Sequence, residues 1–175
     1  KRATNASSPP PIDVANAPLK TGSIYPEPYA SRMEGRSSLR LGQAVGLTQF
    51  GANIVILEPG ARSSLRHWHM AEDEFVMITE GELVLLQDEG EYVMRPGDCA
   101  AWKAGDTNGH CFVNRTDREA RFLVVGSRAP FERATYSDVD FAMEIEGGEA
   151  RFLYRDGTPW TDPREEVSET LTPQK

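Results

Sequence analysis

His67-Trp68-His69-Met70-Ala71-Glu72-Asp73-Glu74, continuing as Phe75-Val76-Met77-Ile78-Thr79-Glu80-Gly81, is the stretch on which the reading of this chain turns. Side chains alternate across a strand, so His67 and His69 project to one face with their backbones roughly 6.6 Å apart, and both imidazoles can reach a single ion. Glu74 lies five positions beyond His69, an offset that on one continuous strand would send it to the opposite face. A turn through 70–73 must therefore intervene, after which the β-rich run from Phe75 resumes as a strand ending at Glu80-Gly81. Glu74 is then the third ligand. Glu72 and Asp73 are rivals by spacing, because a shift of one residue in the turn changes which carboxylate points inward.

The chain has three histidines in 175 residues, and the third, His110, lies in a second suggestive stretch, Gly105-Asp106-Thr107-Asn108-Gly109-His110-Cys111-Phe112-Val113-Asn114. Pro96-Gly97-Asp98 makes a turn between two strands, and 105–109 makes another that delivers His110 at the start of a strand. His110 completes a set of three imidazoles and one carboxylate, a donor set suited to divalent iron, manganese, nickel or zinc without choosing among them.

These two stretches resemble the motifs of the cupin superfamily. In the first cupin motif a glycine, five residues, His-x-His, three or four residues, a glutamate, six residues and a glycine follow one another. Here Glu74 and Gly81 match, while six residues separate Gly60 from His67. In the second motif a glycine and five residues precede Pro-x-Gly, then two residues, a histidine, three residues and an asparagine. Gly97 takes the place of the opening glycine and Lys103-Ala104-Gly105 that of Pro-x-Gly, so strict spacing puts Asn108 at the histidine position. A turn two residues longer restores the pattern with His110 and Asn114, and imidazole is the far better ligand. The resemblance covers residues 40–126, closest to small single-domain bacterial cupins. It implies an all-β fold, a double-stranded β-helix or jelly-roll barrel, with one divalent metal ion held inside by His67, His69, Glu74 and His110. Asn114 fits a turn-holding role better than contact with a ligand histidine.

The rest of the chain agrees with that fold. Short strands are expected at 47–57, 65–70, 74–79, 83–86, 91–94, 99–102, 110–114 and 121–125, separated by Gly, Pro and Asp turns, and no strong helical period interrupts them. Residues 1–38, rich in Pro, Ser and Ala, form an N-terminal arm whose first ten residues are disordered and whose remainder lies extended across its own barrel or a neighbour's. Residues 39–126 are the barrel, and 127–175 are a C-terminal extension with one hairpin turning at Asp156-Gly157 and a frayed end beyond 163. Cys99 and Cys111 fit reduced core thiols better than a disulfide, with Cys111 facing away from the metal.

A net charge of −8 and the lack of a basic stripe argue against nucleic acid as a partner. No apolar run approaches the roughly 20 residues needed to span a bilayer, and the start lacks a hydrophobic signal core, so a cytoplasmic protein without membrane contact is expected. Outward-facing Trp68, Met70, Phe75 and Met77 would be costly if wet, which leads to the expectation of a homodimer, with cover by the N-terminal arm as the alternative. Arg66, one residue from His67, faces away from the metal on a regular strand, Arg62 and Arg66 fit surface charges, no inward arginine is evident, and Gln49, Tyr92 and Trp102 are weak candidates for lining the cavity. A three-imidazole, one-carboxylate set leaves positions open for a ligand. The leading expectation is a metal-dependent enzyme, of oxygenase or isomerase/lyase type, acting on a small polar organic molecule inside the barrel. The alternative is a non-catalytic small-ligand binder or sensor with a structural metal.

Overall fold

The computed structural model describes residues 10–163, so the expectations for residues 1–9 and 164–175 lie outside the described residues. In chain order come a 3-10 turn (Val14–Asn16), β1 (Leu19–Thr21), a second 3-10 turn (Ala30–Met33), β2 (Arg36–Leu39) and one helical turn, α1 (Leu41–Ala44). Then follow β3 (Phe50–Leu57), β4 (His67–His69), β5 (Glu74–Glu80), β6 (Leu83–Gln87), β7 (Gly90–Met94), β8 (Cys99–Trp102) and β9 (Cys111–Val113). Last are β10 (Ala120–Ser127), β11 (Phe131–Tyr136), β12 (Ala142–Glu146) and β13 (Glu149–Leu153). None of the helices among the described residues is long and apolar enough to cross a membrane.

Every strand pair is antiparallel, and the strands build two walls of an all-β barrel. One wall runs β1-β2-β3-β10-β5-β8. The other comprises β13-β12-β11-β4 and β7-β6-β9, joined where His67 and His110 form an antiparallel bridge. Inward residues of the first wall follow from its register: Val55, Phe122 and Ile78 stand in one row, Asn53, Val124 and Val76 in the next, and Gly51, Gly126 and Glu74 in the last. The first of these rows packs with Leu57, Leu83, Leu85, Met94, Phe112 and Ala120 into the main core. Removing a buried ring such as Phe112 by substitution to alanine costs about 3–5 kcal/mol. Gly81 closes the β5–β6 turn at φ +73°, where a Cβ would come within 2.8 Å of the Ala120 Cβ and 2.9 Å of the Glu119 carbonyl oxygen. Only glycine meets both demands.

The flanking segments join the same two walls. Leu19 to Thr21 pairs with Leu39 to Ser37, and β2 in turn pairs with β3, so the N-terminal segment extends the first wall. Beyond β1 it crosses the chain's own barrel, where Tyr25, Tyr29 and Met33 pack with Leu65, Tyr136 and Phe141 in a second core cluster. After Ser127 the sequence suggested one hairpin; the structure has it, with Gly157 at φ +92° and the Tyr154 amide donating to the Thr158 carbonyl. It also has β11 and β12, which the sequence pattern hid. The inward positions of β11 are Glu132, Ala134 and Tyr136, and a buried glutamate breaks the apolar alternation that reveals a strand.

Candidate metal centre

The two histidine stretches meet through the backbone before they meet through side chains. The His67 amide donates to the His110 carbonyl at 3.1 Å and the His110 amide to the His67 carbonyl at 2.8 Å, which sets the two Cα atoms roughly 5.5 Å apart. On its other edge β4 pairs with β11, opposing His67 to Tyr136 and His69 to Ala134. Glu74 begins β5 on the facing wall, beside Gly126 and Trp102. Between the walls, ligand atoms of His67, His69, Glu74 and His110 all lie within 4.8 Å of one another. His67 Nε2 is 3.2 Å from His69 Nε2, His110 Nε2 is 3.1 Å from Glu74 Oε1, and His69 Nε2 is 3.4 Å from Glu74 Oε2. A metal with ligand bonds of about 2.1 Å and angles between 90° and 109° holds its donors roughly 3.0–3.4 Å apart. These three separations match those of a shared divalent ion, and the four residues together could hold one.

Neighbours hold each ring. The Nδ1 of His67 lies 2.9 Å from the Leu65 carbonyl oxygen, which assigns the proton to Nδ1 and leaves the Nε2 lone pair facing the cluster. Glu132, 2% exposed, places Oε1 3.3 Å from His69 Nδ1 and also accepts from the Met70 amide at 2.9 Å and, through Oε2, the Ala71 amide at 2.8 Å. One carboxylate thus faces the imidazole at ion-pair distance and holds the turn that follows it. Trp102 stacks on His110 with centroids 3.6 Å apart and planes 10° apart.

The rival ligands are occupied elsewhere. Asp73 Oδ1 accepts from the Ala104 amide at 2.8 Å, Glu72 Oε1 from the Ala129 amide at 2.9 Å, and Asn108 Oδ1 from the Asp88 amide at 3.0 Å. Asn108 is absent from the cluster; the longer turn brings in His110. Glu72 does lie near a second grouping, with His69 and Glu132. Asn114 is fully buried and holds a turn, donating to the Leu57 and Arg118 carbonyls and accepting from the Thr116 amide.

A cavity of about 290 Å³ opens from the cluster toward β3, β2 and β1. The two glycines beside Glu74, Gly51 and Gly126, line it and leave it room. Gln49 and Tyr92, expected as lining, are exposed on the outside, and Trp102 serves as the wall behind His110. Arg66 binds Asp138 and Asp88, and Arg62 donates to Cys111 Sγ at 3.7 Å; neither arginine nor Cys111 lines the cavity. Cys99 is exposed, since its strand β8 is an edge of the first wall, so only Cys111 is a core thiol. The expectation of no inward arginine needs correction: Arg36, Arg40 and Arg128 line the cavity together with Lys20. Arg36 and Arg40 stand four positions apart, on one face of an extended segment, and the pairing of β2 with β3 turns that face inward.

Residues 53–126 match the cupin domain family. A solved structure of a sugar phosphate isomerase from a cupin superfamily, from Silicibacter pomeroyi, is 57% identical, covering 87% of this chain and 97% of that one with a TM-score of 0.84. The chain belongs to the cupin superfamily. Two more distant solved structures share the fold: a protein from Acidithiobacillus ferrooxidans (24% identity, 79% of this chain and 96% of that one, TM-score 0.65) and a polyketide cyclase from Streptomyces resistomycificus (22%, 69% and 80%, TM-score 0.55). Comparison with curated proteins gives no match.

Charge within this cupin's cluster is unevenly spread. Burial, then the neighbouring His69 and His110, push the His67 imidazole down to about 3. Burial also opposes charge on His69, but Glu132 and Glu74 outweigh it and raise the group to about 10. Burial would raise Glu74, yet its contacts with His110 and His69 hold its carboxyl well below the usual carboxylate range. Without a metal the cluster is thus an imidazolium held between carboxylates; with one, that proton must leave.

Proposed function

We propose that this cupin is a metal-dependent isomerase acting on a small polyhydroxy carbonyl compound inside the barrel. The observation that carries the reading is the convergence of three imidazole nitrogens and a carboxylate at metal-ligand spacings on the wall of a cavity. The name of the 57%-identical relative supports isomerase over oxygenase. His67, His69, Glu74 and His110 would hold the ion. A bound divalent metal supplies Lewis-acid polarisation of a carbonyl and its adjacent hydroxyl.

The chain's own residues do the remainder. Glu132 and the Leu65 carbonyl keep His69 and His67 turned toward the cavity, and Trp102 fixes the plane of His110. Isomerising an α-hydroxy carbonyl moves one carbon-bound proton to the neighbouring carbon and one hydroxyl proton between the oxygens. Glu72 lines the cavity beside His69 with one oxygen anchored on the Ala129 amide, so its other oxygen can carry the carbon-bound proton. Phe75 and Met70 stay 41% exposed, and the same reading takes the protein as a homodimer that covers them. Sedimentation at the mass of one chain would remove that part.

The test is to load the chain with iron, manganese, nickel or zinc, confirm close to one ion per chain by elemental analysis, and incubate it with aldoses, ketoses and their phosphates in heavy water. Interconversion, with deuterium entering the carbon next to the carbonyl, is the expected result, lost in Glu72→Gln with the metal retained. Oxygen consumption would move the reading to an oxygenase. Saturable binding with no conversion and no deuterium entry would make the protein a binder.

A further inference from the structure

The inner face of the β1–β2 edge reverses the usual arrangement of a barrel wall. Leu19 is 62% exposed, while its neighbour Lys20 turns into the cavity, and Arg36 and Arg40 do the same from β2 and the residue after it. Ser38, opposite Lys20 and Val55 in the ladder, lies between the two arginines and is 2% exposed with its hydroxyl unpaired. Arg128 reaches in from the end of β10 over Gly51, where an added Cβ would stand 2.5 Å from its Nη2. Four cations thus share one end of a cavity whose other end is the His/Glu cluster. A polar face turned inward with its apolar face in water costs stability, and such local contradictions mark functional sites.

These cations have few partners. Arg36 is tethered through Nε to the Ser63 carbonyl at 2.6 Å and through Nη1 to the Gly22 carbonyl at 2.8 Å, which leaves Nη2 toward the cavity. The Nε of Arg40 is buried without a hydrogen bond. Among the described residues no carboxylate comes within 4.0 Å of Lys20, Arg36 or Arg40, and Arg128 has only Glu72 at 4.0 Å. Burial lowers Lys20, Arg36 and Arg40, and repulsion among the cations adds to it, with Tyr25 opposing the shift at Arg36. Such crowding of like charges is relieved by an anion between them.

We propose that Lys20, Arg36, Arg40 and Arg128 form an anion subsite that holds the phosphate of a phosphorylated substrate while its carbonyl end lies at the His/Glu cluster. The assignment deepens the proposed function and depends on it for the second half, since an anion can bind here whether or not a metal does. Strand β2 lies three strands from β5, roughly 14 Å between backbones, and the long cationic side chains and Glu74 close that span from both sides. The ligand is therefore elongated, with its anion at one end and its reacting carbons at the other. The tethers on Arg36 make it the fixed member, and Arg128, half in solvent, is the one free to follow the ligand.

The experiment is calorimetric titration of the full chain, metal-loaded and chelator-treated, with inorganic phosphate, a sugar phosphate and the corresponding unphosphorylated sugar. In Arg40→Ala and Arg128→Ala, phosphate and sugar phosphate should bind roughly tenfold to a hundredfold more weakly than in the unaltered chain. The neutral sugar and the metal content should be unchanged, and Arg40→Lys should recover part of the loss. A thermal melt of each variant establishes that it is folded; Arg128, being exposed, is the safer of the two. Phosphate binding that both variants retain, or its absence from the unaltered chain, overturns the subsite. Arginine-dependent phosphate binding in a chain that never retains metal would uphold the subsite and end the metal-dependent reading, so the two failures are distinct.

Discussion

The two ends of the cavity are built on opposite electrostatic plans. At the His/Glu end three imidazoles surround one carboxylate, with Glu132 behind them, so unlike groups satisfy one another before any ligand arrives. At the other end Lys20, Arg36, Arg40 and Arg128 face the same space, and their nearest carboxylate is Glu72, 4.0 Å from Arg128. The first end is compact and could exchange a proton for a metal; the second is an excess of positive charge that a bound anion would offset. Donors for a small hard ion have to converge within a few ångströms, whereas cations for a large diffuse anion can be spread over a groove. Damage to each end should therefore show in a different measurement.

The largest effect is expected from the ligands. His67→Ala and His69→Ala should abolish metal retention, and His110→Ala should weaken it strongly, as read by elemental analysis after dialysis. If Asn108→Ala were the more damaging change, the placement of the second motif would be wrong. Glu132→Gln should lower metal affinity roughly 10–100-fold, because it removes the carboxylate that orients His69 while leaving every ligand in place. An unchanged affinity in a competition titration against a chelator would show that the Met70 and Ala71 amides are all that Glu132 serves.

Acidity separates the two ends next. His69 is raised from 6.5 to about 10, so in the metal-free protein its contribution to stability is fully present below pH 6.5 and is lost as pH rises toward 10. His67 is lowered from 6.5 to about 3, so its contribution is full above pH 6.5 and is lost as pH falls toward 3. Metal-free protein should accordingly be most stable near pH 6.5. A bound metal should flatten the alkaline limb and release close to one proton at neutral pH, measurable by calorimetry in buffers of different ionisation enthalpy. The smallest effect is expected from Gly51→Ala, which pushes the Arg128 guanidinium aside; phosphate should bind a few-fold more weakly with metal content unaltered.

The same contrast governs what could be read in advance. Three of the four cluster residues fall within eight positions, and period-two geometry plus one turn carries them toward a common point. The sequence favours Glu74 by spacing, but setting Glu72 and Asp73 aside needed the walls themselves, because these rivals are engaged by the amides of Ala129 and Ala104 from distant loops. Glu132 was invisible for the reason β11 was: a buried charge inside a strand imitates a loop until its partners are known. Nothing in the local sequence around Lys20, Arg36 and Arg40 marks them as inward, because their facing is set by the pairing of β1, β2 and β3.

By itself the sequence determined the all-β barrel, the turns at Gly81, Gly97 and Asp156-Gly157, and the small group of residues from which the His/Glu cluster is drawn. These depend on alternation, on glycine's access to positive φ and on the scarcity of histidine, all of which are local. The tertiary structure decided that His110 and not Asn108 meets Glu74, that Glu132 stands behind His69, and that four cations of the N-terminal segment and β10 face the cavity. Those outcomes depend on register between segments distant in sequence: a one-residue slip in the pairing of residues 20, 38 and 55 would turn Lys20 and Arg36 to the outside, and a slip of β11 against β4 would do the same to Glu132.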